Sequence, residues 1–124
     1  MADIKKYFDF LVKNYGMSYK QQYFKDWGNW MYSMYSYYNK NGCFTIQELL
    51  QEEEFAFYYA QEFSSDRDRL CERRIFEQSV EPGVWEKEKK KFLFAYRPKL
   101  YIKTVAKVVK MQIYKEHCFF GIKV

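Results

Sequence analysis

The chain has 124 residues, a formal net charge of +5, and 13 Tyr, 12 Phe and 3 Trp. That length suits one domain, residues 1–124, whose core buries roughly two-thirds of the unfolded surface. No apolar run reaches the ~18 residues of a membrane span, and the opening MADIKKYF lacks the apolar stretch of a signal peptide, so a cytoplasmic chain without membrane contact is expected.

The charge is unevenly spread. Residues 1–42 hold six basic and three acidic residues, 43–84 hold four and ten, and 85–124 hold eleven and three. An acidic middle followed by a basic end favours a charged macromolecular partner for one of the two surfaces. Cys43, Cys71 and Cys118 are widely spaced and form no Cys-x-x-Cys pair, which argues for reduced thiols and against a disulfide framework or a zinc site.

Taken in chain order, Ile4, Tyr7, Phe8, Leu11, Val12 and Tyr15 recur at helical spacing and predict an amphipathic helix over 3–15, with Asp3 as N-cap and Gly16 just past the end. Alternation over 17–25 predicts a strand, and Asp26-Trp27-Gly28-Asn29 a turn. The stretch Trp27–Ile46 organises the chain: aromatic residues over 30–39 predict a second strand, and Asn41-Gly42 suits the two positive-φ positions of a type I′ hairpin turn. A two-residue turn there would set Tyr37 opposite Ile46 and Tyr35 opposite Glu48 on one face, and Tyr38 opposite Thr45 and Met34 opposite Leu49 on the other.

Strands over 43–50 and 55–63 complete an antiparallel meander of about four strands. Ser65, followed by Asp66 and Asp68, predicts a short helical turn capped by Ser65 and ending near Glu72. Residues 74–80 fit a short edge strand, Glu81-Pro82-Gly83 is a break, and 84–91 fit a short helix anchored by Trp85. Pro98 opens a helix over 99–116. On it Ile102, Val105, Ala106, Val109 and Ile113 occupy about 100° of arc, beside a stripe of Lys99, Lys103, Lys107 and Lys110 spanning about 80°. The apolar end, residues 118–124, should be tied down beside the sheet. The fold class expected is α+β, with the N- and C-terminal helices packed mainly on one face of the meander.

For chemistry the sequence offers little. His117, the single histidine, is adjacent to Cys118, which disfavours a thiol–imidazole pair, and the five glycines stand singly, forming no phosphate loop. No cofactor or metal is expected. A carboxylate pair around Glu48 and the Glu52-Glu53-Glu54 turn is one catalytic alternative. The lysine stripe Lys99, Lys103, Lys107 and Lys110 is a nucleic-acid alternative, although Lys on an outer helix face ordinarily serves solubility. The leading reading is a non-enzymatic protein-binding module. Its contacts would be Trp30, Tyr32, Met34 and Tyr38 on the second sheet face and the acidic turn Glu52, Glu53 and Glu54 at its end. The alternative for that face is cover by the last residues or a loop. A homodimer is compatible with either.

The opening DIKKYFDFLVKNYGM, the Tyr-rich strands running into N-x-N-G-C-F-T-I, and the C-terminal helix before FFGIKV resemble, over most of the chain, the small single-domain immunity proteins encoded beside bacterial toxins. The resemblance implies a bacterial cytoplasmic protein that neutralises a cognate toxin by occluding its active site, with no chemistry of its own. It also implies that an acidic patch imitates the phosphates expected by a nuclease toxin's basic groove.

Overall fold

The computed structural model describes residues 4–51, 54–75 and 98–124. The predicted N-terminal helix is present as α1 (Ile4–Phe8) and α2 (Phe10–Lys13). Asp9 between them keeps helical angles (φ −61°, ψ −23°) and is paired with Lys13 at 2.9 Å, so the two segments continue one another. Gly16, at φ +67°, closes the helix by donating its N–H to Val12 O, while Met17 N–H donates to Leu11 O. The Asp3 cap lies outside the described residues.

Five strands follow as an antiparallel sheet in the order β1-β2-β3-β4-β5: β1 (Ser18–Lys25), β2 (Met31–Asn39), β3 (Gly42–Leu49), β4 (Glu54–Ala60) and the short edge strand β5 (Arg73–Ile75). Between β4 and β5 lies α3 (Arg67–Leu70). The expected Ser65 cap is corrected: Asp66 caps α3 by accepting from Asp68 N–H, and Ser64 Oγ accepts from Asp66 N–H. The long helix α4 (Pro98–Glu116) leads into a small hairpin, β6 (Cys118–Phe119) and β7 (Ile122–Lys123). The predicted helix over 84–91 lies outside the described residues, as does 76–80 of the predicted edge strand.

The central hairpin differs from the expectation by two positions of register. Asn39 pairs with Gly42, so Lys40 and Asn41 form the turn, with Tyr37 opposite Phe44 and Tyr35 opposite Ile46. Neither turn residue takes positive φ. Asn39 Oδ1 instead accepts from Asn41 N–H at 2.7 Å, an Asx turn, and both asparagines donate their side-chain amides to Lys123 O. Gly42, at φ +156°, is packed so closely that a Cβ there would lie 3.0 Å from Ile122 Cγ1 and 3.2 Å from Tyr59 Cε2. The turn is therefore set by its docking on β7, not by the I′ preference of Asn-Gly. A shift of two leaves every side chain on its expected face, because side chains alternate with period two.

The type I′ angles appear at the other hairpin, where Phe120 (φ +50°) and Gly121 (φ +85°) join β6 to β7. The apolar C-terminus is thus tied down as expected. Phe119, Phe120 and Ile122 are buried in the main core with Ile4, Phe8, Leu11, Tyr37, Phe44 and Ile46 of α1, α2 and the sheet, and with Ile102, Val105, Val109 and Ile113 of α4. Phe44 is central, its ring 5.8 Å from that of Phe8, 6.2 Å from Phe57 and 5.5 Å, edge-on, from Phe119. Each such ring contributes on the order of 1.5–3 kcal/mol by burial.

The second face of the sheet is partly closed by the chain itself. Cys43 and Ala60 pack with Leu70 of α3, and Phe63 stacks on Tyr38 at 4.5 Å. The Arg67 guanidinium lies 3.8 Å over the Tyr32 ring and donates to Gln47 Oε1, and Gln22 Nε2 donates to Ser64 O. Beneath this cover Ser36 and Thr45 share a buried hydroxyl hydrogen bond of 2.8 Å. Among the described residues, 61–72 and not the C-terminus do the covering.

Candidate interaction surface

At the end of β2 opposite the Lys40-Asn41 turn, residues 26–30 fold into a hydrogen-bonded tip. Asp26 N–H donates to Trp30 O and Asn29 N–H to Asp26 O, while Gly28 (φ +85°) and Asn29 (φ +66°) supply the left-handed angles that reverse the chain. Gln51 clamps the tip from the β3–β4 side, accepting from Met31 N–H at 3.1 Å and donating to Asn29 O at 2.8 Å. Tyr32 Oη donates to Asp26 Oδ2 at 3.0 Å.

This scaffold holds large side chains outward. Trp27 is 98% exposed, Trp30 40%, Met31 45%, and Tyr23 near the end of β1 68%. Exposed Trp costs solvation that the fold does not recover, and Trp, Tyr and Met are the types enriched at interface centres.

Of the residues singled out from sequence, Trp30 belongs to this tip. Tyr32 lies behind it under Arg67, Tyr38 is stacked beneath Phe63, and Met34 is fully buried, so these three act in packing the covered face. Glu52 and Glu53 lie outside the described residues; the backbone of Glu54 pairs with Leu49, and the acidic run begins directly after the clamping Gln51. The exposure of Trp27 and Met31 is not evident from sequence because the Asp-Trp-Gly-Asn stretch reads simply as a turn; a large aromatic placed in a turn is the signal it carries.

Glu48 is buried on the helix-covered face. Its Oε1 accepts from Tyr35 Oη at 2.9 Å, and Gln21 Nε2, bonded to Ser33 Oγ and Tyr23 Oη, extends the polar row along the strands. Burial and the neighbouring carboxylate push the Tyr35 phenol up to about 12. This is a cross-strand network that encloses the Glu48 carboxylate. Burial also raises all three thiols, Cys43 lying fully inside.

Lys103, Lys107 and Lys110 are exposed along α4 as the helical spacing predicts, and the side chain of Lys99 lies outside the described residues. Among the described residues there is no group of His, Cys, Asp and Glu able to hold a metal ion, and no helix long and apolar enough to cross a membrane. Comparison with protein families, with curated proteins and with solved structures finds no match to this chain.

Proposed function

We propose that the chain is a non-enzymatic protein-binding module whose anchor is the Trp27–Met31 tip, and that it serves as an immunity protein occluding a cognate toxin. The observation that carries this reading is Trp27, almost wholly solvent-exposed on a turn whose backbone is fixed by Gln51. An outward indole on a fixed backbone has few side-chain torsions to order when a partner's pocket closes on it, which is the usual character of a binding hot spot. The acidic run starting at Glu52 would steer a basic partner toward the tip.

The test is co-expression with the product of the neighbouring gene. The wild-type chain relieves that product's toxicity and co-purifies with it. Trp27→Ala with Trp30→Ala, shown folded by circular dichroism, loses both properties. Exchange of Glu52, Glu53 and Glu54 for Gln slows association and flattens its salt dependence, leaving dissociation nearly unchanged. Full protection by the double tryptophan variant overturns the assignment of the anchor; no complex with any wild-type preparation overturns the function.

A further inference from the structure

We propose that Arg67 is a positioning residue for the exposed tip: acting through Tyr32 and Asp26, it holds the limb of the turn from which Trp27 projects. That this limb matters for binding rests on the protein-binding reading; that Arg67 holds it does not.

The two limbs of the tip are secured differently. Gln51 bonds the outgoing limb, at Met31 N–H and Asn29 O. The incoming limb is secured at Asp26, the residue directly before Trp27, whose N–H donates to Trp30 O and whose carbonyl accepts from Asn29 N–H at 3.3 Å, a long bond. Among the described residues the Asp26 side chain has one hydrogen bond, accepted by Oδ2 from Tyr32 Oη at 3.0 Å, while Oδ1 is shut off from solvent with no partner. A carboxylate oxygen enclosed without a donor is costly, so the place of this side chain depends on the Tyr32 hydroxyl.

Tyr32 is set in turn by Arg67. The guanidinium lies 3.8 Å from the centre of the Tyr32 ring, closer than Arg73 lies to Tyr59 at 4.7 Å. Its Nε and Nη2 both donate to Gln47 Oε1, at 3.3 and 3.1 Å, which ties the guanidinium plane to β3. The backbone that carries Arg67 is anchored three residues on, where Leu70 packs with Cys43 and Ala60. A cation on the ring face and a carboxylate at the hydroxyl make one chain: the cation draws charge from the phenol, which strengthens its donation to Asp26, and partly buried charges are screened less than exposed ones. The segment that covers the second sheet face thus also fixes the tip at the sheet's end.

Native-state hydrogen exchange of the full chain reads the tip without any partner. The Asn29 N–H, which donates to Asp26 O, should exchange about fivefold faster in Arg67→Gln and about tenfold faster in Tyr32→Phe, with the protected Phe44 amide showing that each variant is folded. Arg67→Gln added to Tyr32→Phe should accelerate Asn29 no further, because Phe has no hydroxyl for the cation to strengthen; a role confined to stabilising α3 would multiply the two effects instead. Arg73→Gln, which removes a cation from the Tyr59 ring, should leave Asn29 unchanged. The order parameter of the Trp27 backbone amide should fall in Arg67→Gln from the ~0.85 of rigid backbone toward ~0.6. In the proposed complex Arg67→Gln should dissociate about fivefold faster. A wild-type chain that forms no complex overturns the protein-binding reading and leaves the exchange measurement to decide the role of Arg67. That role is overturned by Asn29 exchange in Arg67→Gln within about twofold of wild type, by effects that multiply in the double variant, or by equal acceleration in Arg73→Gln.

Discussion

Gly42→Ala probes how the central hairpin is held. The new methyl would lie 3.0 Å from Ile122 Cγ1 and 3.2 Å from Tyr59 Cε2, inside ordinary carbon contact distance, on a backbone at φ +156° that favours glycine. Overpacking of this kind costs about 1–3 kcal/mol, and the disfavoured angle adds on the order of 1 kcal/mol. Together they make about 3 kcal/mol, a large part of the ~5–15 kcal/mol that stabilises a domain. Urea unfolding followed by circular dichroism and tryptophan fluorescence should show a lower midpoint at unchanged m, and the melting temperature should fall by about 10 °C. The contact with Ile122 can be isolated by a double-mutant cycle: Ile122→Ala removes Cγ1, so Gly42→Ala should cost about 1 kcal/mol less in that background than alone. A cost below about 0.5 kcal/mol, or strict additivity with Ile122→Ala, would refute the idea that close docking of β7 places the turn.

His117 ends α4 at φ +56°, its N–H donating to Ile113 O, so His117→Gly should raise stability by about 0.5–1 kcal/mol, read as a few degrees in melting temperature. Tyr35 has a folded value of about 12 against 10.0 for the free phenol, so the folded state holds the proton more tightly. Its contribution is complete below pH 10 and is lost as pH rises toward 12; half-exposure limits it to about 1 kcal/mol, and Tyr35→Phe should flatten alkaline unfolding across that window. Cys43 is fully buried and its thiol raised, so a thiol reagent should modify Cys118 in the native protein and reach Cys43 only on unfolding, as peptide mass mapping would show.

Elements with strong periodicity were legible in the sequence. The helical spacing of Ile4, Phe8 and Leu11, the Pro98 start of α4 and the alternation of the first four strands all correspond to elements found. Where several local solutions compete, tertiary contact decides. Asn41-Gly42 suits a I′ turn, but Asn39 and Asn41 both reach Lys123 O more than 80 residues away. That long-range bond draws the turn back by one residue. Phe120-Gly121 was not foreseen as a I′ turn because Phe rarely takes positive φ; burial of its ring in the core holds it there. The cover on the second face depends on Phe63 and Arg67 meeting Tyr38 and Tyr32 across 25 and 35 residues of chain, a meeting that no local pattern encodes.

The measurement closest to the central claim is the dissociation rate of the proposed complex with the neighbouring gene's product, compared between wild type, Trp27→Ala and Lys103→Gln. Truncation of an interface anchor costs at least about 2 kcal/mol, so Trp27→Ala should dissociate roughly thirtyfold faster, while Lys103→Gln, on the exposed side of α4, should match wild type. Equal dissociation rates for wild type and Trp27→Ala would contradict the assignment of the Trp27–Met31 tip as the surface through which this protein acts.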